Sequence, residues 1–281
     1  MEKKKTSKTY PKILDHLKKK THHEAVKLTN CGNAALFAAI YIAKQLKKTT
    51  ILIPDQGGWI SYKTYPSIFD LKIEEVDTDD GIIDLESLKE LATKKTALIV
   101  SSFAGYFAEQ PMKEISEICK KQGCLLIEDA SGAIGDDVLC DGRLSEIIVA
   151  SFGRGKPVNL NYGGFISVSN RDYLERVWDI FSLIDFEEMF YDELYEKLKD
   201  TERRLGKFFS ISAMIKNDLK EFDIAQVDKR GINVVVRFKT EEEKNKIIAY
   251  CDKNKYEYTI CPKYIRLDDK AVSIEVKRLE V

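Results

Sequence analysis

Residues 97–129 read ALIVSSFAGYFAEQPMKEISEICKKQGCLLIED. Two short apolar runs, Ala97–Ser101 and Cys124–Ile127, frame the stretch. Runs that are apolar throughout suit strands buried on both faces, which favours a parallel sheet. Between them Pro111 suits a first helical position, and Met112, Ile115, Ile118 and Cys119 recur on one helical face. Gly123 is a natural helix stop. Strand, helix, strand is the repeating unit of a layered α/β fold.

The pattern extends both ways. Thr50–Pro54 (TILIP), Lys72–Val76, Ile147–Phe152 (IIVASF) and Phe165–Val168 (FISV) read as further strands of the same sheet. Asp84 suits the cap of a helix carrying Leu85, Leu88 and Leu91. The fold class expected is α/β, a mainly parallel sheet sandwiched by helices over residues 26–170. From residue 171 the character changes. Residues 171–205 are rich in aromatics and charges and lack Gly and Pro, which predicts one or two helices. Beyond them Asn233–Phe238, Tyr256–Cys261 and Ala271–Val276 read as strands. Thr240 with Glu243 forms a capping box for a helix carrying Ile247, Ile248 and Cys251. Residues 171–281 are therefore expected to be connecting helices and a small α+β domain, and residues 1–25 a basic arm or helix.

Composition excludes several classes of function. With Lys+Arg 45 against Asp+Glu 46, the 281-residue chain has no global charge to draw it to nucleic acid or an anionic membrane. The N-terminal lysines (3, 4, 5, 8, 12, 18, 19 and 20) face only Glu2 and Asp15, but Tyr10 is the one aromatic among them. Such a run reads as a solvated arm. No apolar segment follows it as in a secretory signal, and the longest apolar run, residues 34–43, is too short to span a bilayer. A soluble, cytoplasmic protein is expected. His16, His22 and His23 are the only histidines, so a catalytic triad or histidine-built metal site would have to draw on that one segment. None of the six cysteines forms a C-x-x-C pair, so no zinc cluster is expected. Chemistry here must use other groups or an imported cofactor.

Three places offer such groups. Asn30-Cys31-Gly32-Asn33 opens an alanine-rich helix, where first-turn N–H groups can hold an anion, although an ordinary helix start has the same pattern. Glu128 and Asp129 end an apolar strand, where open α/β sheets bind ligands; an ordinary loop acid would also sit there. Lys156 lies in the glycine-rich loop Ser151-Phe152-Gly153-Arg154-Gly155-Lys156-Pro157, ahead of Gly163-Gly164. A desolvated lysine can lose its proton and attack a carbonyl, whereas a solvated one is inert.

Taken together and in this order, these segments resemble the DegT/DnrJ/EryC1/StrS family of sugar aminotransferases, pyridoxal-phosphate enzymes of the aspartate-aminotransferase fold. TNCGNAAL is similar to the family's S-G-T-x-A-L, and VDTDDGIIDLESL to its D-x(6)-D-x-x-x-L segment. AGYFAEQPMKEISEICKKQGCLLIEDASGAIG resembles its G…M-x-x-I…EDA-x-x-A-x-G run, and SFGRGK with the later Gly-Gly its S-F-x-x-x-K…GG. The likeness covers residues 28–170, about half the chain.

The resemblance implies a cofactor, pyridoxal 5′-phosphate, joined as a Schiff base to Lys156, which also shuttles a proton. It implies Asp129 at the pyridine nitrogen, Trp59 stacked on the ring, and Gly32, Asn33 and Ser151 at the phosphate. The implied substrates are small molecules, glutamate as amino donor and a nucleotide-linked keto sugar as acceptor, worked on by at least a homodimer with no nucleic-acid or membrane partner. The chain departs from the family in four ways. Gly132 stands where the family has Gln or His, Asn33 where it has Thr, Asn161-Tyr162 where it has Gly-Glu ahead of Gly163-Gly164, and the region after the lysine is shorter. Arg154 has no family role; phosphate, substrate and solvent are all open to it. Two other readings stay open: a non-catalytic, ligand-binding relative of the same fold, and a pyridoxal-phosphate lyase or desulfurase. The second needs a thiol such as Cys31 or Cys140 near Lys156, and the sequence offers no sign of one.

Overall fold

The structure, a computed structural model, describes residues 8–281; Lys3, Lys4 and Lys5 of the basic head lie outside the described residues. The first part of the chain forms α1 (Thr9–Thr21), β1 (Ala25–Thr29), α2 (Gly32–Gln45), β2 (Thr50–Pro54), α3 (Tyr65–Ile68), β3 (Lys72–Val76), β4 (Thr78–Asp79) and β5 (Ile82–Ile83). There follow α4 (Leu85–Leu91), β6 (Thr96–Ser101), the hairpin β7 (Phe103–Ala104) and β8 (Ala108–Glu109), α5 (Met112–Gln122), β9 (Leu125–Asp129), β10 (Ile147–Ser151) and β11 (Gly164–Val168). The remainder is α6 (Asp172–Glu175), α7 (Tyr191–Lys199), α8 (Thr201–Asp218), β12 (Val234–Arg237), α9 (Glu241–Asn254), β13 (Tyr258–Ile260) and β14 (Ala271–Ile274).

Seven strands make the central sheet in the order β1-β11-β10-β9-β6-β2-β3. The pairs from β10 through β3 are parallel, whereas β11 runs antiparallel to both β10 and β1. The sheet is therefore mixed, and two strands differ from expectation. β11 is as apolar and buried as its parallel neighbours, because burial on both faces does not encode direction. β1 (AVKLT) was not expected at all; Lys27 interrupts its apolar pattern. β3 lies at the sheet edge with Lys72, Glu74 and Glu75 exposed, and such charges deter pairing with another chain.

Alternation along the strands divides the core into two layers. Ala97 and Ile99, Leu125 and Ile127, and Ile147 and Val149 face α2, whose Ala35, Ala38, Ala39, Ile42 and Ala43 are buried against them. Leu98 and Val100, Leu126, and Ile148 and Ala150 face the opposite layer, where Leu88 of α4 and Met112, Ile115, Ile118 and Cys119 of α5 complete the core. Caps set the helix ends. The Asp84 side chain accepts from Ser87 N, the Thr240–Glu243 box is formed, and Gly123 closes α5 in the left-handed region (φ 68°). Pro111 is the residue before α5 rather than its first, with ψ at 65° outside the helical range. Residues 171–190 form only α6 and two short 3-10 turns before α7.

In the C-terminal part, a three-stranded antiparallel sheet (β12-β14-β13) carries a buried charge cluster on the chain just after β14. Arg266 forks onto Glu275 through Nε and Nη2, both at 2.8 Å, and Lys277 Nζ lies 3.0 Å from the same carboxylate. Asn233 Nδ2 donates a further bond at 3.1 Å. Burial alone would raise the Glu275 carboxyl, but the Arg266 hydrogen bonds and the Lys277 charge hold it well below the usual range. A carboxylate with a depressed folded pKa stabilises the fold fully above the ordinary carboxylate range, about pH 4.3, and loses that contribution as the pH falls further. Glu275→Gln leaves Arg266 and Lys277 uncompensated in the interior. Urea unfolding at neutral pH should show a loss of about 3 kcal/mol, at the lower end of what breaking a buried pair costs, and the gap between wild type and variant should narrow in acid.

Candidate active site

The register that layers the core also assembles the site. Asp129 and Ser151 end β9 and β10 on the face that carries Ile127 and Val149, towards α2. The N-terminus of α2 abuts them. A Cβ on Gly32 would lie 2.5 Å from Ser151 Cβ and 2.9 Å from Ser151 Cα. Only glycine permits that approach. The Cys31 side chain does not cap α2, so an anion can take the first-turn donors. Ser151 Oγ accepts from Gly153 N at 3.1 Å, and Ser151 N donates to Ser131 Oγ at 2.9 Å, which ties the lysine loop to the strand ends.

Around these groups is a cavity of ≈ 260 Å³ whose wall includes Gly32, Asn33, Trp59, Asp129, Ser151 and Lys156. All six residues singled out from the sequence therefore meet at one place. Larger grooves, of ≈ 450, ≈ 860 and ≈ 370 Å³, lie beside α1, beside α9 and between α4 and α5. None of these brings a buried nucleophile to its wall, and chemistry rather than size identifies the site.

Each polar group in the cavity is held. Asp129 Oδ2 accepts from Tyr62 Oη at 2.7 Å, and Oδ1 from Ser131 N at 3.0 Å. Tyr62 is fully buried, and its Oη also lies 3.0 Å from Ser101 Oγ. Burial, then the Asp129 charge, pushes the Tyr62 phenol well above its ordinary value, so it stays protonated and donates. The Trp59 indole Nε1 donates to Asn33 Oδ1 at 2.8 Å, fixing the ring plane at the cavity wall. The Asn33 side-chain oxygen thus positions the indole. Lys156 Nζ lies 5.8 Å from the centroid of that indole and 4.1 Å from the Tyr106 ring, and it donates to Tyr106 Oη. Burial lowers the Lys156 amine to about 8, opposed by Asp129 and helped by Arg266.

Several sequence candidates lie elsewhere. Glu128 points to the opposite layer, because side chains alternate along β9. There its carboxylate accepts from Ser102 Oγ (2.7 Å), Cys140 N (2.9 Å) and Ser145 Oγ (3.2 Å). Arg154 does border the cavity, but it is largely exposed and turns its guanidinium to Glu257, 3.1 Å away. Cys140 is buried outside the cavity, but the exposed Cys31 is part of its wall, which the sequence did not signal. None of the three histidines lines it. His23 is buried between Ser167 Oγ (2.9 Å) and the Ser145 carbonyl (2.8 Å). Among the described residues no group of three or more His, Cys, Asp or Glu could hold a metal ion, and no helix is long and apolar enough to cross a membrane. Sequence reasoning missed Tyr62, Tyr106 and Ser131. Of these, only Tyr106 carried a signal, its place beside Gly105 between two apolar pairs.

Parts of the sequence and the fold are similar to known proteins. Residues 202–281 match the MJ1341 family C-terminal domain. Over 113 residues, 38% of the chain, it is 31% identical to the UDP-4-amino-4,6-dideoxy-N-acetyl-beta-L-altrosamine transaminase of Campylobacter jejuni, spanning 30% of that protein. Over 88% of the chain it is 28% identical to a probable glycine dehydrogenase (decarboxylating) subunit 2 of Thermoplasma volcanium, spanning 56% of it. The chain thus covers well under two thirds of the curated relatives it matches.

Among solved structures, the Helicobacter pylori aminotransferase PseC superposes with a TM-score of 0.78 over 96% of this chain and 86% of that one, at 13% identity. A DegT DnrJ EryC1 StrS aminotransferase from Brucella abortus gives 0.76 over 96% and 85%, at 14% identity. Bacillus subtilis NtdA, solved with bound PMP, gives 0.75 over 98% and 74%, at 12% identity.

The close approach at Gly32 gives a direct test of the site's architecture. Gly32→Ala places a methyl group against Ser151 backbone and side chain, so helix or strand must move. Denaturant unfolding should report a loss of about 1–3 kcal/mol, the usual cost of overpacking. Wild-type stability in the variant would mean that α2 is not seated as described. With a mixed seven-stranded sheet, helices on both faces and a lysine–aspartate cavity at the strand ends, the chain has the fold of the DegT/DnrJ/EryC1/StrS-type sugar aminotransferases, and its residues 202–281 are similar to the MJ1341 family C-terminal domain.

Proposed function

We propose that this chain is a pyridoxal-phosphate-dependent aminotransferase that moves an amino group from glutamate to a keto sugar, in the reading a nucleotide-linked one. The observation that carries the proposal is the Lys156 amine, buried and lowered to about 8, in one cavity with Asp129 and an anchored indole. The residues fit the cofactor. An uncapped helix N-terminus suits a phosphate, Asp129 is a carboxylate at the sheet end, and Trp59 offers a fixed aromatic face. Bound there, pyridoxal phosphate would supply an electrophilic aldehyde and a ring that takes up the electron pair left when an amino acid loses its α-proton.

The chain's own residues do the rest. Lys156 would hold the cofactor at its aldehyde end, and its neutral amine, when not engaged there, would take a proton from the substrate carbon and hand it on as general base and acid. Asp129 would keep the ring nitrogen protonated, with Tyr62 and Ser131 N holding its two oxygens in place for that. Trp59 and the first turn of α2 would hold the ring and the phosphate. At ≈ 260 Å³ the cavity lies just below the ~300–1,000 Å³ of small-molecule sites, so it has room for the cofactor while the sugar occupies its open side. In the same reading residues 26–170 form the cofactor-binding domain, residues 171–281 the connecting helices and small domain, and residues 1–25 the basic N-terminal segment, whose described part is α1 with Ile13 and Leu17 buried. A second copy of the chain covers the open side, and the protein works in the cytoplasm, where its six unpaired cysteines stay reduced.

A second reading, a lyase or decarboxylase on the same cofactor, is favoured by the Cys31 thiol in the cavity wall and by the glycine dehydrogenase relative. One experiment separates the two. Protein soaked in pyridoxal phosphate should turn yellow, and borohydride should fix the cofactor on the Lys156 peptide, with half-maximal fixation near pH 8. Lys156→Ala should reduce fixation to background. Glutamate should discharge the colour; discharge by glycine or cysteine alone would support the lyase reading. A protein that stays colourless overturns both.

A further inference from the structure

Gly132 leaves a gap beside the cavity, and the structure fills it from another element. A Cβ at residue 132 would lie 3.0 and 3.1 Å from two ring carbons of Tyr106 and 3.3 Å from Ile232 Cδ1. Tyr106 reaches this space from the turn of the β7–β8 hairpin. Gly105 (φ 51°) and Tyr106 (φ 72°) are its two central residues, and Phe107 N donates to the Ala104 carbonyl at 2.8 Å. Positive φ at both central residues turns the chain sharply, and Gly105, Tyr106 and Phe107 span the gap between the paired Ala104 and Ala108. Gly105 suits it, since a Cβ there would lie 2.6 Å from the Arg266 carbonyl. A tyrosine at positive φ is strained backbone, and such strain gathers at functional positions. The surroundings hold it there. The Tyr106 carbonyl accepts from both Ile232 N (2.8 Å) and Asn233 N (2.9 Å).

The ring stands amid charge. Lys156 Nζ is 4.1 Å from its centroid, Lys277 Nζ 4.9 Å and the Arg266 guanidinium 5.2 Å. The charged groups acting on the Lys156 amine are Asp129 at the end of β9, and Arg266, Glu275 and Arg278 from the C-terminal part; Lys277 in turn feels Lys156. Of these only Asp129 is a carboxylate in the cavity wall. A flexible lysine in that cavity can satisfy its amine in two ways, by an ion pair with Asp129 or by a bond to a neutral partner. The ion pair would hold the amine as an ammonium and take the carboxylate from the ring nitrogen. Burial, and after it the Asp129 charge, keeps the Tyr106 phenol protonated, so its hydroxyl is a neutral partner.

We propose that Tyr106 is a positioning residue, occupying the space left by Gly132 and holding the Lys156 amine away from Asp129 so that it stays available to a carbonyl. The C-terminal part takes part in this, because its backbone at Ile232 and Asn233 holds the tyrosine in place. The inference rests on the reading of Lys156 as the amine that meets the cofactor, but its test needs no cofactor.

The experiment is pH-dependent labelling of the full chain with acetic anhydride, read at the Lys156 peptide by mass spectrometry. In the wild type the labelling midpoint should fall near 8. In Tyr106→Phe, which keeps the ring and loses the hydroxyl, the freed amine turns to Asp129. The midpoint should then rise by at least one unit, an approximately tenfold loss of reactive amine at pH 7. With Asp129→Asn already present, adding Tyr106→Phe should leave the midpoint unmoved, because no carboxylate remains to capture the amine. Gly132→Ala, pressing on the ring from below, should raise the midpoint in the same direction by less. An unchanged or lowered midpoint in Tyr106→Phe, or an equal rise with and without Asp129, overturns the proposal. A failure of the functional reading looks different: wild-type Lys156 would label near pH 8 yet never take up pyridoxal phosphate.

Discussion

Gly32 approaches Ser151 so closely that no side chain fits between them; a methyl group would lie 2.5 Å from the serine Cβ. That approach seats the N-terminus of α2 on the end of β10 and brings first-turn donors beside Asp129 and the lysine loop. Apolar packing holds the contact closed. α2 presents a face of alanines to Ile147, Val149 and Ile166, and small side chains let helix and sheet come within backbone reach. Through the same packing the anion-binding end of a helix becomes part of the wall around Lys156.

The cavity separates two charges that would otherwise neutralise each other. Asp129 is held by Tyr62 and by Ser131 N, and Lys156 by Tyr106. Tyr62 is buried and Tyr106 partly buried, and both remain phenols, so each satisfies its partner without adding a charge. An amine taken out of water favours its neutral form, and neutrality is what nucleophilic attack requires. The compensating ion pairs lie further back, where Glu275 gathers Arg266 and Lys277. The C-terminal part thus bears on the chemistry through its support of the hairpin that carries Tyr106, although its own side chains do not form the cavity wall.

Much of this was legible in the residues. ALIVS and CLLI announced buried strands, and Met112, Ile115, Ile118 and Cys119 a helix between them, because burial and periodicity are local signals. Asp84, Gly123 and the Thr240–Glu243 box announced helix ends for the same reason. The direction of β11 was not legible, since a strand buried on both faces looks alike in either direction. Nor was β1, where Lys27 breaks the pattern, or the role of Glu128. The sequence places Glu128 beside Asp129, but alternation along β9 sends the two to opposite layers.

The sequence by itself determined the fold class and the six residues that meet in the cavity. The fold class, Gly32 and Asn33, Asp129 and Lys156 follow from short-range pattern (apolar runs, a glycine at a helix start, a strand-end acid and a lysine in a glycine-rich loop), whereas Trp59 and Ser151 came from the family resemblance. Only the tertiary structure decided what those residues face. Gly132 read as a missing side chain; in space it is the room Tyr106 occupies, from a hairpin 26 positions earlier in the chain. Cys31 carried no sign of lying near Lys156 and is in the cavity wall. Arg154 was open to phosphate, substrate or solvent; it borders the cavity, largely exposed, and pairs with Glu257, more than a hundred residues away. Partners of that kind are set by how layers pack, and no local spacing in the chain encodes them.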